Sequence, residues 1–243
     1  MYLSIGVDKM DRLNRKPLLA LIYRIIGLLV GITALALQIY SSTLTDAGFM
    51  IRHNWAYFTI QTNIFSTIIF FVLVIKTFAI RKVKEEWEVA RINESVHLCF
   101  TFYITITFLG YWLLLLPTTG LNSNPAILAG TIFLHALTPL FAVFDCVFFM
   151  KHGKIKSKDV IKWMTYPVVY LISVVIFSNL IKTPYYTVKI GEKVFDLMFP
   201  YPFIDPQIMG TWGVVAAVLA LAGVFVLLGL LFITIDKRLS KKK

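Results

Sequence analysis

The 243-residue chain is 58% apolar and only 15% charged, with a mean hydropathy of +0.77, whereas soluble domains are nearer one half apolar and one quarter charged. That balance excludes a water-soluble enzyme, a nucleic-acid binder and a disordered segment, and it makes the net charge of +11 a topology signal first. Cys99 and Cys146 both fall inside apolar runs, so there is neither a disulfide framework nor a zinc spacing, and no metal or cofactor is expected.

A membrane-crossing helix takes about 20 mostly apolar residues. Six stretches meet that requirement: Leu18–Tyr40, Trp55–Ile80, Val96–Leu116, Ala126–Met150, Ile161–Ile181 and Ile208–Ile235. The expectation is an all-α integral membrane protein, with residues 1–243 forming one transmembrane domain of six helices. Breakers separate the stretches, with Pro117, Gly120 and Pro125 in one gap and Pro184, Pro200, Pro202 and Pro206 in another. Ala34 and Ala36 follow a basic start as in a signal peptide, but the apolar run exceeds the roughly 7–15 residues of a signal core. The first stretch therefore reads as a retained span. No internal repeat points to an inverted-repeat transporter.

Lysine and arginine set the expected orientation. The N-terminal tail, the second and fourth connections and the C-terminal tail together carry eighteen of them. The first, third and fifth connections carry four: Arg52, Lys182, Lys189 and Lys193. By the positive-inside rule both termini are cytoplasmic. The basic run Lys151–Lys162 suits anionic lipid headgroups better than nucleic acid. Arg24 and Lys76, near the cytoplasmic ends of spans 1 and 2, are expected to snorkel to the headgroups.

Polar residues inside such spans carry the functional information. In span 2, Thr59, Thr62, Asn63 and Ser66 stand at i, i+3, i+4 and i+7, one helical face that must meet protein or a cavity. Hydroxyls bonding back to carbonyls, and Asn63 joining two helices, would explain the stripe without chemistry. In span 3, His97, Thr101 and Thr105 share a face, with His97 placed near the inner interface. In span 4, His135 lies deep in an apolar run, and an intramembrane ionisable residue is a functional candidate. Pro139 removes the backbone bond to the His135 carbonyl, which then needs another partner. Both spans run inwards, placing Thr59 about 6 Å and His135 about 14 Å below their starts, so contact is permitted. Asp145 is a further ten residues on, about 15 Å from His135, too deep for a Thr–His–Asp triad and expected to pair with Lys151 or a base of the second connection.

The exposed outer loop 182–207 is the longest connection. Tyr185–Ile190 and Val194–Leu197 flank Gly191-Glu192-Lys193, the pattern of a short hairpin. The segment Tyr201-Pro-Phe-Ile-Asp205-Pro206 reads either as an aromatic belt with a rigid turn or as a lid in which Asp205 orients His135.

Tyr57-Phe58-Thr59-Ile60-Gln61-Thr62-Asn63, His135 with Pro139, Trp163-x-x-Tyr166-Pro167 and Tyr201-Pro-Phe-Ile-Asp205 together resemble the bacterial branch of the androgen-induced/ADTRP-like family of six-span membrane proteins. The resemblance covers most of the chain and implies an intramembrane hydrolase with a threonine nucleophile, matched by Thr59, and a histidine, matched by His135. It implies fatty acid esters of hydroxy fatty acids as the substrate class, and a related branch transfers acyl groups. Ile60-Gln61-Thr62-Asn63 and the short step from His135 to Pro139 depart from the animal pattern, which leaves the particular ester open.

The chemistry such a pair supports is nucleophilic. Thr59 attacks an ester, His135 takes its proton, and Thr62, Asn63, Ser66 and Asp205 are candidate oxyanion or substrate contacts, with backbone N–H groups near a helix break as further oxyanion donors. The expected function is thus a lipid-ester hydrolase or acyl transferase, acting on esters within a bacterial inner membrane. The alternatives are a lipid-binding or transport protein on the same scaffold, and a structural membrane partner recruiting anionic lipid.

Overall fold

The computed structural model of the chain describes residues 2–45, 53–181, 184–190 and 192–241. Six helices are long and apolar enough to cross a membrane: Lys16–Leu44, Phe58–Lys84, Glu94–Leu115, Pro125–Phe149, Asp159–Leu180 and Pro206–Ser240, spans 1 to 6 below. Each lies within five residues, at both ends, of the stretch expected from apolar length. Arg52, Lys182, Gly191, Lys242 and Lys243, which entered the charge and hairpin arguments, lie outside the described residues.

Local chemistry sets where the spans begin. Asn93 caps span 3 by accepting from the N–H groups of Ser95 and Val96, and Asn124 caps span 4 through those of Ala126 and Ile127. Asp205 caps span 6 through Gln207 N–H. Pro125 and Pro206 follow two of these caps at the first helical position, where a missing N–H costs nothing. Spans 1 and 2 approach closely because span 1 presents Gly27 and Gly31. A Cβ at Gly27 would sit 2.9 Å from the Phe70 ring, and one at Gly31 would collide with Thr67. Small residues four apart are a recurrent device for close helix contact between apolar helices.

The connection between spans 5 and 6 folds as the alternating sequence suggests. Strands β1 (Tyr186–Ile190) and β2 (Lys193–Leu197) pair antiparallel, with Tyr186 opposite Leu197 and Ile190 opposite Lys193. Tyr185 and Leu197 are fully buried beneath the hairpin. The chain then turns through Pro202–Ile204 into span 6.

Near the opposite end, the buried charges are arranged differently from the sequence-based expectation. Arg24 does not snorkel, and Asp145 does not pair with Lys151. Arg24 is 1% exposed and donates to both Asp145 oxygens, at 2.7 and 3.3 Å, and to the Ala90 carbonyl at 2.8 Å. His97 is buried rather than interfacial, with Nε2 3.2 Å from Asp145. The reason is packing: spans 1, 3 and 4 meet at this depth, and a planar guanidinium with a bidentate carboxylate satisfies both ions without water. Lys76 stays exposed and donates to the Arg91 carbonyl. Close by, the two ring nitrogens of His152 face Asp236 Oδ1 at 2.9 Å and the Val147 carbonyl at 3.0 Å. Gly153 N–H donates to the second Asp236 oxygen, which fastens the far end of span 6 to the connection after span 4.

Arg24→Ala leaves Asp145 buried without its guanidinium and should cost about 3–5 kcal/mol of stability, read as a lowered unfolding midpoint in detergent. The double variant Arg24→Met/Asp145→Leu should recover most of the loss. An unchanged midpoint in the single variant would show that the pair carries no stability.

Candidate active site

Span 2 begins with donors that its own helix cannot satisfy. The chain passes through the turn Asn54–Ala56, and Tyr57 enters the helix in an extended conformation with no side-chain cap. The first intrahelical bonds run from Ile60 and Gln61 to the Tyr57 carbonyl. The N–H groups of Phe58 and Thr59 therefore have no carbonyl within the helix to bond.

Tyrosines from two other elements converge on this turn. From span 5, Tyr166 donates to Gln61 Oε1 at 2.7 Å and Tyr170 to the Ala56 carbonyl at 2.8 Å. From the connection before span 6, Tyr201 packs edge-on against Tyr57 with ring centroids 6.0 Å apart, and stacks on Phe203. The Tyr201 hydroxyl comes within hydrogen-bonding reach of the Thr59 side chain, the N–H groups of Thr59 and Phe58, and the Tyr170 hydroxyl. Burial raises the Tyr201 phenol above its ordinary pKa, and these neighbours draw it part of the way back. Three sequence motifs far apart in the chain, at Tyr57–Asn63, Trp163–Pro167 and Tyr201–Asp205, thus meet in one place.

Thr59, Tyr170 and Tyr201 line a cavity of about 670 Å³ whose remaining wall is almost wholly carbon, contributed by spans 3, 5 and 6. That size is typical of sites for small organic ligands. Tyr111 of span 3 lines the same cavity.

His135 lies one ring behind that wall. Its imidazole stacks on Tyr111 with centroids 3.9 Å apart. Nδ1 is 3.0 Å from the Thr131 carbonyl, which can only accept, so the proton is on Nδ1 and the Nε2 lone pair is free to act as a base in the neutral ring. The His135 carbonyl released by Pro139 accepts from Trp112 Nε1 at 2.9 Å. Tyr111 and Trp112 belong to a π-helical turn, Gly110–Leu115, and His135 to another, Phe133–Leu137. Two such distortions face each other here, and π turns concentrate at functional sites.

Among the described residues no hydrogen bond joins Thr59 to His135, and His135 is not part of the cavity lining. Asn63 links their surroundings, its amide donating to the Thr59 carbonyl at 2.8 Å and to the Leu134 carbonyl at 3.1 Å. Tyr111 is the second link, touching the cavity on one side and His135 on the other.

The other candidates are bonded or placed elsewhere. Both Asn63 amide donors hold carbonyls, which makes this residue a clamp between spans 2 and 4. Thr62 is paired with Thr107 at 2.7 Å and bonds back to the Thr59 carbonyl. Ser66 belongs to the other polar cluster, lining a water-sized cleft with His97, Thr101 and Asp145. Asp205 does not orient His135: it is fully buried, and its oxygens accept from the N–H groups of Met198, Phe199 and Gln207. Such a carboxylate organises the loop that carries Tyr201. Sequence reasoning passed over Tyr111 and Tyr170 because a tyrosine in an apolar helix reads as bulk. Their phenols, which need partners when buried, were the available signal.

Among the described residues no group of three His, Cys, Asp or Glu side chains is placed to hold a metal ion. In comparisons with protein-family models, curated proteins and solved structures, nothing matches this chain.

Trp112→Phe removes the donor from the His135 carbonyl and should cost about 1–3 kcal/mol. Pro139→Ala restores a backbone N–H within reach, so the double variant should lose less than the two single losses summed. Strict additivity in that cycle of unfolding midpoints would mean that Trp112 and Pro139 do not act on the same carbonyl.

Proposed function

We propose that the protein is a multi-pass membrane hydrolase of lipid esters, with Thr59 as nucleophile and His135 as base. The observation that carries the reading is the placement of Thr59 at the wall of a large apolar cavity, with His135 stacked on Tyr111, which lines the same cavity, and holding its Nδ1 against the Thr131 carbonyl. The resemblance to the androgen-induced/ADTRP-like proteins supports the same assignment for Thr59 and His135.

The steps balance without a cofactor. The Thr59 hydroxyl oxygen attacks the ester carbonyl carbon as its proton passes to His135 Nε2, by way of a bridging water or a turn of the Tyr111 ring. The carbon–oxygen bond to the leaving alcohol then breaks, and the alkoxide takes the proton from His135. Water repeats the sequence on the acyl-Thr59 ester, releasing the carboxylic acid and restoring the hydroxyl. An alcohol in place of that water would give acyl transfer. An apolar ester dissolved in a bilayer reaches the carbon-lined cavity without first being drawn from water.

A bacterial inner membrane with both termini cytoplasmic fits the charge distribution. It places the Thr59 cavity towards the outer leaflet and the Arg24–Asp145 pair towards the inner one. Lys84, Lys154 and Lys162, each more than half exposed, then meet anionic headgroups. The carbon-rich wall also favours a second reading, a lipid-binding or transport protein. In that case Thr59→Val would retain function, and filling the cavity would abolish it.

A serine/threonine-reactive fluorophosphonate, read by intact-protein mass spectrometry, separates these readings. Wild type should take one adduct, and Thr59→Ala and His135→Ala should take none while unfolding at the wild-type temperature. Wild type left unmodified would favour lipid binding or transport. For topology, cysteines placed at Asn122 and Ser240, with Cys99 and Cys146 replaced, should react with impermeant maleimide from opposite sides of the membrane. Reaction from the same side would overturn the orientation.

A further inference from the structure

The proposed nucleophile lacks a stabiliser among those candidates for the charge its attack creates, because Thr62 and Asn63 donate to carbonyls and Ser66 lines a separate cleft away from the Thr59 cavity. A tetrahedral oxyanion in a carbon-lined cavity would be prohibitively costly without donors. Donors aimed at the developing charge contribute more than any other single element of acyl-transfer catalysis in many enzymes.

We propose that Tyr201 supplies the side-chain donor of an oxyanion hole completed by the N–H groups of Phe58 and Thr59. This inference rests on the reading of Thr59 as nucleophile and adds a catalytic residue to it. Four observations support the assignment. Tyr201 and Thr59 line the same cavity. The Tyr201 hydroxyl stands within hydrogen-bonding reach of the Thr59 side chain and of both N–H groups. Those N–H groups lack carbonyl partners within the helix, and the positive end of the span 2 dipole lies at the same point. Tyr170 cannot take the role, because its single hydroxyl proton is donated to the Ala56 carbonyl.

The loop is built to hold that hydroxyl still. Tyr201 is stacked on Phe203 at 5.2 Å with the planes 6° apart, and its neighbour Tyr57 is the residue that enters span 2. Asp205 gathers the N–H groups before and after the turn, and Pro202 stiffens it. Donors fixed in this way need no reorganisation when charge appears. In the resting site the Tyr201 hydroxyl has Thr59 and Tyr170 oxygens as neighbours. When the ester carbonyl enters, the Thr59 Oγ–carbon bond forms, the carbonyl π pair moves to oxygen, and the Tyr201 O–H and the two N–H groups donate to that oxygen. Tyr201 keeps its proton throughout.

The test uses the full-length protein in detergent and an alkyl fluorophosphonate, whose P=O oxygen takes the oxyanion position. Labelling rates measured against probe concentration give kinact and KI separately. Tyr201→Phe, which removes one oxygen, should lower kinact by about 10²-fold, with KI and the unfolding midpoint unchanged and Thr59 still the labelled residue. Tyr23→Phe, which removes a hydroxyl that donates to the Phe141 carbonyl outside the cavity lining, is the comparison and should leave kinact within a few-fold of wild type. Wild-type kinact in Tyr201→Phe would overturn the proposal, and so would a loss confined to KI, since that marks a residue that merely shapes the cavity. Thr59→Ala separates the two levels: labelling that persists at another residue there refutes the nucleophile itself, whatever Tyr201→Phe does.

Discussion

Placing Arg24 against Asp145 strips both ions of water, and in an apolar bundle nothing but the other ion and nearby carbonyls can replace it. The bidentate contact, the Ala90 carbonyl and His97 together meet that need. Three spans and the connection between spans 2 and 3 are fixed by one set of bonds. Breaking any of them leaves a charge unpaired, so the relative depth of spans 1, 3 and 4 is narrowly specified. The Gly27 and Gly31 approach to span 2 then places the Thr59 face against span 4, because spans 1 and 4 already share a depth reference.

That constraint also divides the molecule by role. The charged cluster lies near one end of the bundle, and the residues with chemical potential lie near the other, about 15 Å away along span 4. Near the hairpin, ions are replaced by neutral groups: threonine, phenols, an uncharged imidazole and backbone amides. A neutral site can exist beside a carbon-lined cavity without the desolvation cost that Arg24 and Asp145 offset by pairing. Asp205, the one buried carboxylate on that side among the described residues, is held by backbone N–H groups.

Much of the architecture was legible in the sequence because it depends on local pattern. Apolar length fixed the six spans, strand alternation gave the hairpin, and the spacing of Thr59, Thr62, Asn63 and Ser66 identified an interior face. The orphaned carbonyl of His135 followed from Pro139 alone. Choosing partners was harder. No periodicity says that Asp145 meets Arg24, 121 residues away in sequence, rather than nearby Lys151, since helix neighbours are a tertiary property. The stripe in span 2 had the same limitation, because its spacing could not show that Thr62 and Asn63 were already bonded. Asp205 was legible in another way: an aspartate followed by proline at the start of an apolar run is a helix cap, and that local reading takes precedence over a distant catalytic one.

Span 6 shows how a packed fold leaves room for a ligand. Only 6% of its most apolar window is buried, yet both ends are pinned. At one end Asp205 caps it, and Gly210 breaks the helix with a φ of +65°. At the other, Gly229 lies against Val160, and Asp236 binds His152 and Gly153. Between these anchors, residues from Val218 to Leu228 form one wall of the cavity, and Val218, Phe225 and Leu228 also pack against the core. A helix fixed at its ends and propped on those side chains keeps the cavity from collapsing, because closing it would require bending span 6 inwards against both anchors.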